Sequence, residues 1–136
     1  MLSQKLLKFA LVGSAGFIVD TIVFSLAIYV FKTDLLSARV VSFVFAATTT
    51  WLGNRWFTFS ERNKEAKVKQ WSKFFCSALI SAIPNFLVFQ ATVYLLGRSG
   101  LAPFIALVFG ISAGMLSNFM LSHRWVFNNP SNATEA

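Results

Sequence analysis

Apolar and polar positions alternate along this chain in blocks of about twenty residues. Four apolar runs stand out: Phe9–Phe31, about Leu35–Leu52, Phe74–Leu96 and about Ala102–Leu121. A helix needs about 20 apolar residues to cross the hydrocarbon of a bilayer, so the pattern predicts four transmembrane helices over 9–31, 35–52, 74–96 and 102–121. The second run is short and carries Arg39 near one end, where its side chain can snorkel to the headgroups or turn into the bundle. The breaks "KTDLLS" and "GRSGLAP" are short. The central break, 60–73, is longer and basic, and Val68, Trp71 and Phe75 recur there at helical spacing between lysines. It reads equally well as a solvated loop or as a short basic helix on the membrane surface. The polar tail 128–136, "NNPSNATEA", is expected to be disordered.

Composition agrees with this class. The 136 residues suit one domain over 1–136, but 56% are hydrophobic and only 12% charged, with sixteen phenylalanines and four tryptophans. Soluble domains run nearer about 25% charged. The net charge of +7 could suggest nucleic acid, yet the positive-inside rule accounts for the same residues and no nucleic-acid partner is expected. Lys5, Lys8, Arg55, Arg62, Lys64, Lys67, Lys69, Lys73 and Arg124 fall on one side of the predicted spans, and only Lys32, Arg39 and Arg98 on the other. Both termini and the central loop are therefore expected in the cytoplasm, which also argues against glycosylation at Asn132-Ala133-Thr134. Cys76 is the single cysteine; a buried, inert thiol is its expected state. The first apolar run is too long for the core of a cleavable signal peptide.

The two halves resemble each other. At one fixed shift Lys8 falls on Lys73, Phe9 on Phe74, Asp20 on Asn85, Phe24 on Phe89 and Tyr29 on Tyr94; at a slightly longer shift "TWLGNRWFTF" falls on "NFMLSHRWVF". An internal duplication of this kind predicts an all-α integral membrane protein whose four transmembrane helices form two parallel two-helix repeats, N-in and C-in, related by a pseudo-two-fold along the membrane normal. Each span also carries a row of small and polar residues at i, i+3/i+4 spacing: Gly13, Gly16 and Asp20; Ser42, Ala46 and Thr50; Ala78, Ser81 and Asn85; Gly110, Gly114 and Asn118. Helices in lipid associate through such residues, so the rows should face each other or a second copy. Gly110-x-x-x-Gly114 is a candidate dimer contact. Pro84 should free a carbonyl one turn earlier, beside Asn85, making the third span a candidate for a kink.

The polar members of these rows are the candidate chemistry. Asp20 is the only acid inside a span, and such a residue costs roughly 2.5–3.5 kcal/mol at a helix centre. Arg39, on the next helix, is its preferred partner; the alternative is a protonated Asp20, or one paired with Asn85, that serves packing alone. Asn85, Thr50 and Asn118 add hydrogen-bonding groups inside the bundle. At the cytoplasmic ends, "GNRWFTF" and "LSHRWVF" place Asn54 and Arg55, and Ser122, His123 and Arg124, among Trp56, Phe57, Trp125 and Phe127. The aromatics suit an interfacial belt. Arg55 and Arg124, with Lys8 and Lys73, could form a basic ring that grips a lipid phosphate. The substrate- or phosphate-binding candidates are thus Asp20, Arg39, Asn54, Arg55, Asn85, Asn118 and Arg124. There is no metal-spaced Cys/His cluster, glycine-rich phosphate loop or nucleophile motif, so neither an enzyme nor a cofactor is expected.

The opening "KFALVGSAGFIVDTIVF" resembles the first span of the GtrA-like family, and "NRWFTF" and "HRWVF", closing spans two and four, resemble its paired signature over about residues 5–128. The second copy departs from it at Ser122-His123, where an Asn-Arg pair is common. The resemblance implies a small four-span protein of a bacterial-type inner membrane, serving cell-surface polysaccharide or glycolipid synthesis. It further implies a flippase for a polyprenyl-phosphate-linked sugar or for the polyprenyl-phosphate carrier. A membrane adapter that positions a glycosyltransferase, using the basic loop, is the alternative. A small multidrug-type efflux pump fits less well, since such pumps use a glutamate and lack the Asn-Arg-aromatic endings. A polyprenyl-phosphate lipid, a membrane glycosyltransferase and a second copy of the chain are the expected partners.

Overall fold

Backbone inside hydrocarbon must satisfy its own hydrogen bonds, and a helix does so within one segment. The computed structural model, which describes residues 2–62 and 65–128, consists of four such helices: α1 (Leu2–Tyr29), α2 (Leu35–Gly53), α3 (Lys67–Leu96) and α4 (Ala102–Leu121). All four are long and apolar enough to cross a membrane. The helices overrun the apolar runs on the basic side. α1 begins at Leu2 rather than Phe9, and α3 begins at Lys67 rather than Phe74. The stretch left open between a loop and a separate surface helix is therefore, from Lys67 onward, the first turns of α3. Helical hydrogen bonding persists where the apolar pattern stops, because lysine is itself a good helix former. α3 runs unbroken through Pro84. The polar tail from Asn129 onward, with its sequon, and Lys64 lie outside the described residues.

Two compact units are distinguished, one running up to Trp71 and the other spanning Ser72–Asn128. In the first, α1 and α2 form an antiparallel hairpin. Its turn is set by Asp34, whose carboxylate accepts from the Ser37 N–H at 3.1 Å and caps α2. The hydrogen bond holds the Asp34 carboxyl below its ordinary range. α1 and α2 touch where side chains are small. A Cβ on Gly16 would overlap the Thr50 methyl, and one on Gly53 would lie 2.7 Å from Val12. Gly13, by contrast, has open space around it and is not part of this seam.

In the second unit α3 pairs with α4. A Cβ on Gly110 would lie 2.8 Å from the Asn85 backbone oxygen, and one on Gly114 2.8 Å from the Asn85 Cβ. Ser81 donates to Ser117 at 3.3 Å across the same contact. These two glycines are already occupied by Asn85, so they are not a free dimer face. The buried face of α3 is Gln70, Phe74, Ser77 and Ser81, all 4% exposed or less. Val68 lies off that face and is exposed, and so is Cys76, contrary to the buried thiol expected.

α2 and α4 both end in a widened, π-helical turn, Asn54–Thr58 and Ser122–Val126. The bonds from Phe59 N–H to the Asn54 carbonyl and from Phe127 N–H to the Ser122 carbonyl are each 2.8 Å. The residue after each turn is a buried phenylalanine. Phe59 meets Phe9 edge-on at 6.5 Å between ring centroids, and Phe127 meets Phe74 at 6.2 Å.

Candidate functional site

The antiparallel hairpin of the first unit brings together the two charges within its spans, Asp20 and Arg39. Asp20 lies about 13 Å along α1 from Tyr29, and Arg39 only about 6 Å along α2 from Leu35, at 1.5 Å per residue. The arginine must therefore reach deeper into the span to meet the carboxylate, and it does. Its Nη1 donates to Asp20 Oδ2 at 3.2 Å. The guanidinium also sits over the Phe24 ring, 5.6 Å from its centroid, one turn along α1 from Asp20. Of the two orientations open to Arg39, the structure takes the one pointing at the acid rather than at the headgroups. The pair is asymmetric in exposure: 55% for the arginine side chain and 20% for the aspartate. Asp20 Oδ1 is buried and accepts no hydrogen bond.

The closing turn of α2 is a second cluster. Trp51, Asn54, Arg55, Thr58 and Phe59 are all buried, following i, i+3, i+4, i+7, i+8, the spacing of one helical face. Asn54 Oδ1 accepts from the Thr58 hydroxyl at 2.7 Å. Arg55 Nη1 donates to Gln70 Oε1 at 2.6 Å and to the Glu65 carbonyl at 3.1 Å. The same Gln70 oxygen accepts from the Trp51 indole N–H at 3.1 Å. Arg55 is 7% exposed and Gln70 fully buried. The guanidinium expected to face a headgroup is turned inward here, onto Gln70 and the Glu65 carbonyl. Asn54 is likewise sealed. Gln70, missed in the sequence, is the hub. Its signal is the spacing it shares with Phe74, Ser77 and Ser81 across a lysine-rich stretch.

The exposed residues of this turn are Trp56 and Phe57, with Lys8 over the Phe57 ring at 5.0 Å. Nearby, Glu61 bonds to Lys5, and Arg62 approaches it at 3.5 Å. Partial burial raises the Glu61 carboxyl, but the Lys5 hydrogen bond and the charges of Lys5 and Arg62 leave it below its ordinary range.

In the second unit Asn85 lies in the glycine seam. Asn118 accepts from the Ser122 hydroxyl at 3.5 Å. Arg124 is exposed. Lys73 sits over the Trp125 ring at 5.9 Å, matching Lys8 and Phe57 in the first unit. Phe127 is buried and so leaves the aromatic belt, while Trp125 remains in it. Among the described residues no three His, Cys, Asp or Glu side chains are grouped to hold a metal ion.

No curated protein matches this sequence. The family model of the GtrA/DPMS transmembrane domain matches it over residues 8–127, from the lysine over Phe57 to the phenylalanine that closes the second π-helical turn. The ion-paired hairpin and both aromatic endings fall inside that match, and the chain belongs to the GtrA/DPMS transmembrane domain family, an integral membrane family.

Proposed function

We propose that the protein moves a polyprenyl-phosphate-linked sugar, or the polyprenyl-phosphate carrier, across a bacterial-type inner membrane, with both termini in the cytoplasm and no covalent chemistry on the lipid. One observation carries this reading: a half-exposed arginine near one end of its span, turned inward and held by a single hydrogen bond from Nη1 to Asp20. Guanidinium presents five N–H donors in a planar fork suited to phosphate, so most of that capacity stays open. The prenyl tail remains in lipid while the phosphate exchanges with Asp20 on Arg39. A transported ion must be bound firmly enough to enter and weakly enough to leave. Asp20 supplies the second condition, because its carboxylate competes for the same guanidinium and repels the anion. Asn85 and Asn118 offer neutral hydrogen-bonding groups in the second unit, and exposed Arg124 is the one basic signature residue left to meet a headgroup at the cytoplasmic end.

The test is translocation of labelled polyprenyl-phosphate lipids by the purified protein alone in liposomes. Wild type should accelerate movement over protein-free liposomes. Arg39→Ala should insert with unchanged helix content and lose that acceleration. A wild-type protein that moves no lipid, as an adapter for a glycosyltransferase would behave, or an unimpaired Arg39→Ala, would overturn the proposal.

A further inference from the structure

Near the C-terminal end of α3 a cleft of about 470 Å³ is lined by Gln90, Ala91, Val93, Tyr94 and Arg98. That is within the range of about 300–1,000 Å³ typical of ligand sites. Gln90 and Tyr94, at i and i+4, share one face of α3, and Arg98, just past the end of the helix, lines the same cleft. Gly97, at φ +90°, ends the helix, its N–H bonding the Val93 carbonyl at 2.8 Å. All three polar side chains are exposed, Tyr94 at 89%, and none makes a hydrogen bond or ion pair among the described residues.

This arrangement is costly without an occupant. Gln90 sits about 9 Å inside the end of a membrane-length helix, at 1.5 Å per residue, where an unpaired amide facing hydrocarbon is unfavourable. An arginine just beyond a helix C-terminus can bond the last carbonyls, and Arg98 does not, which leaves its donors open. We infer that this cleft binds the phosphate head of an anionic lipid, with Arg98 as the charged contact and Tyr94 and Gln90 as neutral donors. The inference deepens the translocation reading and rests on it in one respect: the lipid seated here is the one being moved, held at the face opposite the basic loop. The C-terminal end of α3 carries partial negative charge. Arg98 offsets that charge and is the largest contributor to the affinity for the anion.

The experiment uses the full chain in phosphatidylcholine nanodiscs doped with polyprenyl phosphate or with the neutral polyprenyl alcohol, reading lipid retained per chain by native mass spectrometry. Wild type should retain the phosphate lipid in preference to the alcohol. Arg98→Ala should lower that retention on the order of tenfold, the scale of one charge-assisted hydrogen bond, and Arg98→Lys should keep part of it. Tyr94→Phe should show a smaller loss. Added inorganic phosphate should not displace the lipid; displacement would make this a free-anion site and overturn the inference. Unchanged retention in Arg98→Ala, with helix content intact, would also overturn it. Arg39→Ala separates the two readings: it should lose translocation and keep the part of the retention that Arg98→Ala removes. Retention lost in Arg39→Ala but intact in Arg98→Ala would refute the cleft and leave the translocation reading standing.

Discussion

Arg39 on α2 donates to Asp20 on α1 at 3.2 Å, the one ion pair inside a span among the described residues. Each partner makes the other tolerable in the membrane, so removing one should cost more than removing both. Arg39→Gln leaves a lone carboxylate, while the double variant Asp20→Asn, Arg39→Gln restores a neutral hydrogen-bonded pair. A double-mutant cycle of unfolding in detergent should give a coupling of about 1 kcal/mol, as polar contacts between membrane helices do. Additive losses would show that the pair contributes nothing to the hairpin.

Arg55 should behave differently from Arg39. Its guanidinium links α2 to the start of α3 through Gln70 and the Glu65 carbonyl. Truncating a buried, charge-assisted partner costs about 1.5–3 kcal/mol. Arg55→Ala and Gln70→Leu are each expected to lower stability by that amount and to alter Trp51 fluorescence, since the indole N–H shares the Gln70 oxygen. Translocation per folded molecule should stay near wild type. A translocation defect in fully folded Arg55→Ala would return this residue to the substrate path.

The contrast between these arginines shows what the sequence made legible. Asp20 and Arg39 stood out because a charge inside an apolar run needs a partner, and a short capped turn leaves few choices. Arg55, by its position at the membrane edge, suggested a headgroup contact. Its spacing from Trp51 carried the better signal, placing it with Asn54, Thr58 and Phe59 on one buried face. Phe127 lies at the same edge, but its ring is buried against Phe74 instead of standing in the aromatic belt. Gln70 was hidden by its lysine neighbours, and the continuity of α3 from Lys67 by the end of the apolar pattern, which marks hydrocarbon rather than helix. The π-helical turns have no apolar periodicity of their own, so nothing in the composition announced them.

The glycines divide by the same logic. Gly110 faces the Asn85 backbone oxygen, which cannot move aside without shifting α3. Gly110→Ala should therefore destabilise by about 1–3 kcal/mol, the usual cost of overpacking. Gly13→Ala meets open space and should gain up to about 1 kcal/mol of helix propensity. Thermal denaturation in detergent would resolve the opposite signs. Equal effects at the two positions would contradict the packing of α4 on α3.

Glu61 makes the last prediction, because its folded carboxyl lies below the reference value of 4.5. A group so depressed stabilises the fold fully above its unfolded pKa, and the contribution is lost as pH falls through the folded pKa. Glu61 clips the central loop to Lys5 at the start of α1. With the Glu61 side chain 53% exposed, solvent screening limits the contribution to no more than about 1 kcal/mol. The effect should be local. Hydrogen exchange in residues 59–62 should stay constant from pH 7 down to about 5 after correction for intrinsic rates, then rise as acid below the reference value of 4.5 protonates the depressed carboxylate. Glu61→Gln should show the faster exchange already at pH 7, with no further acid dependence in that segment. A pH response that survives Glu61→Gln would assign the titration to another group.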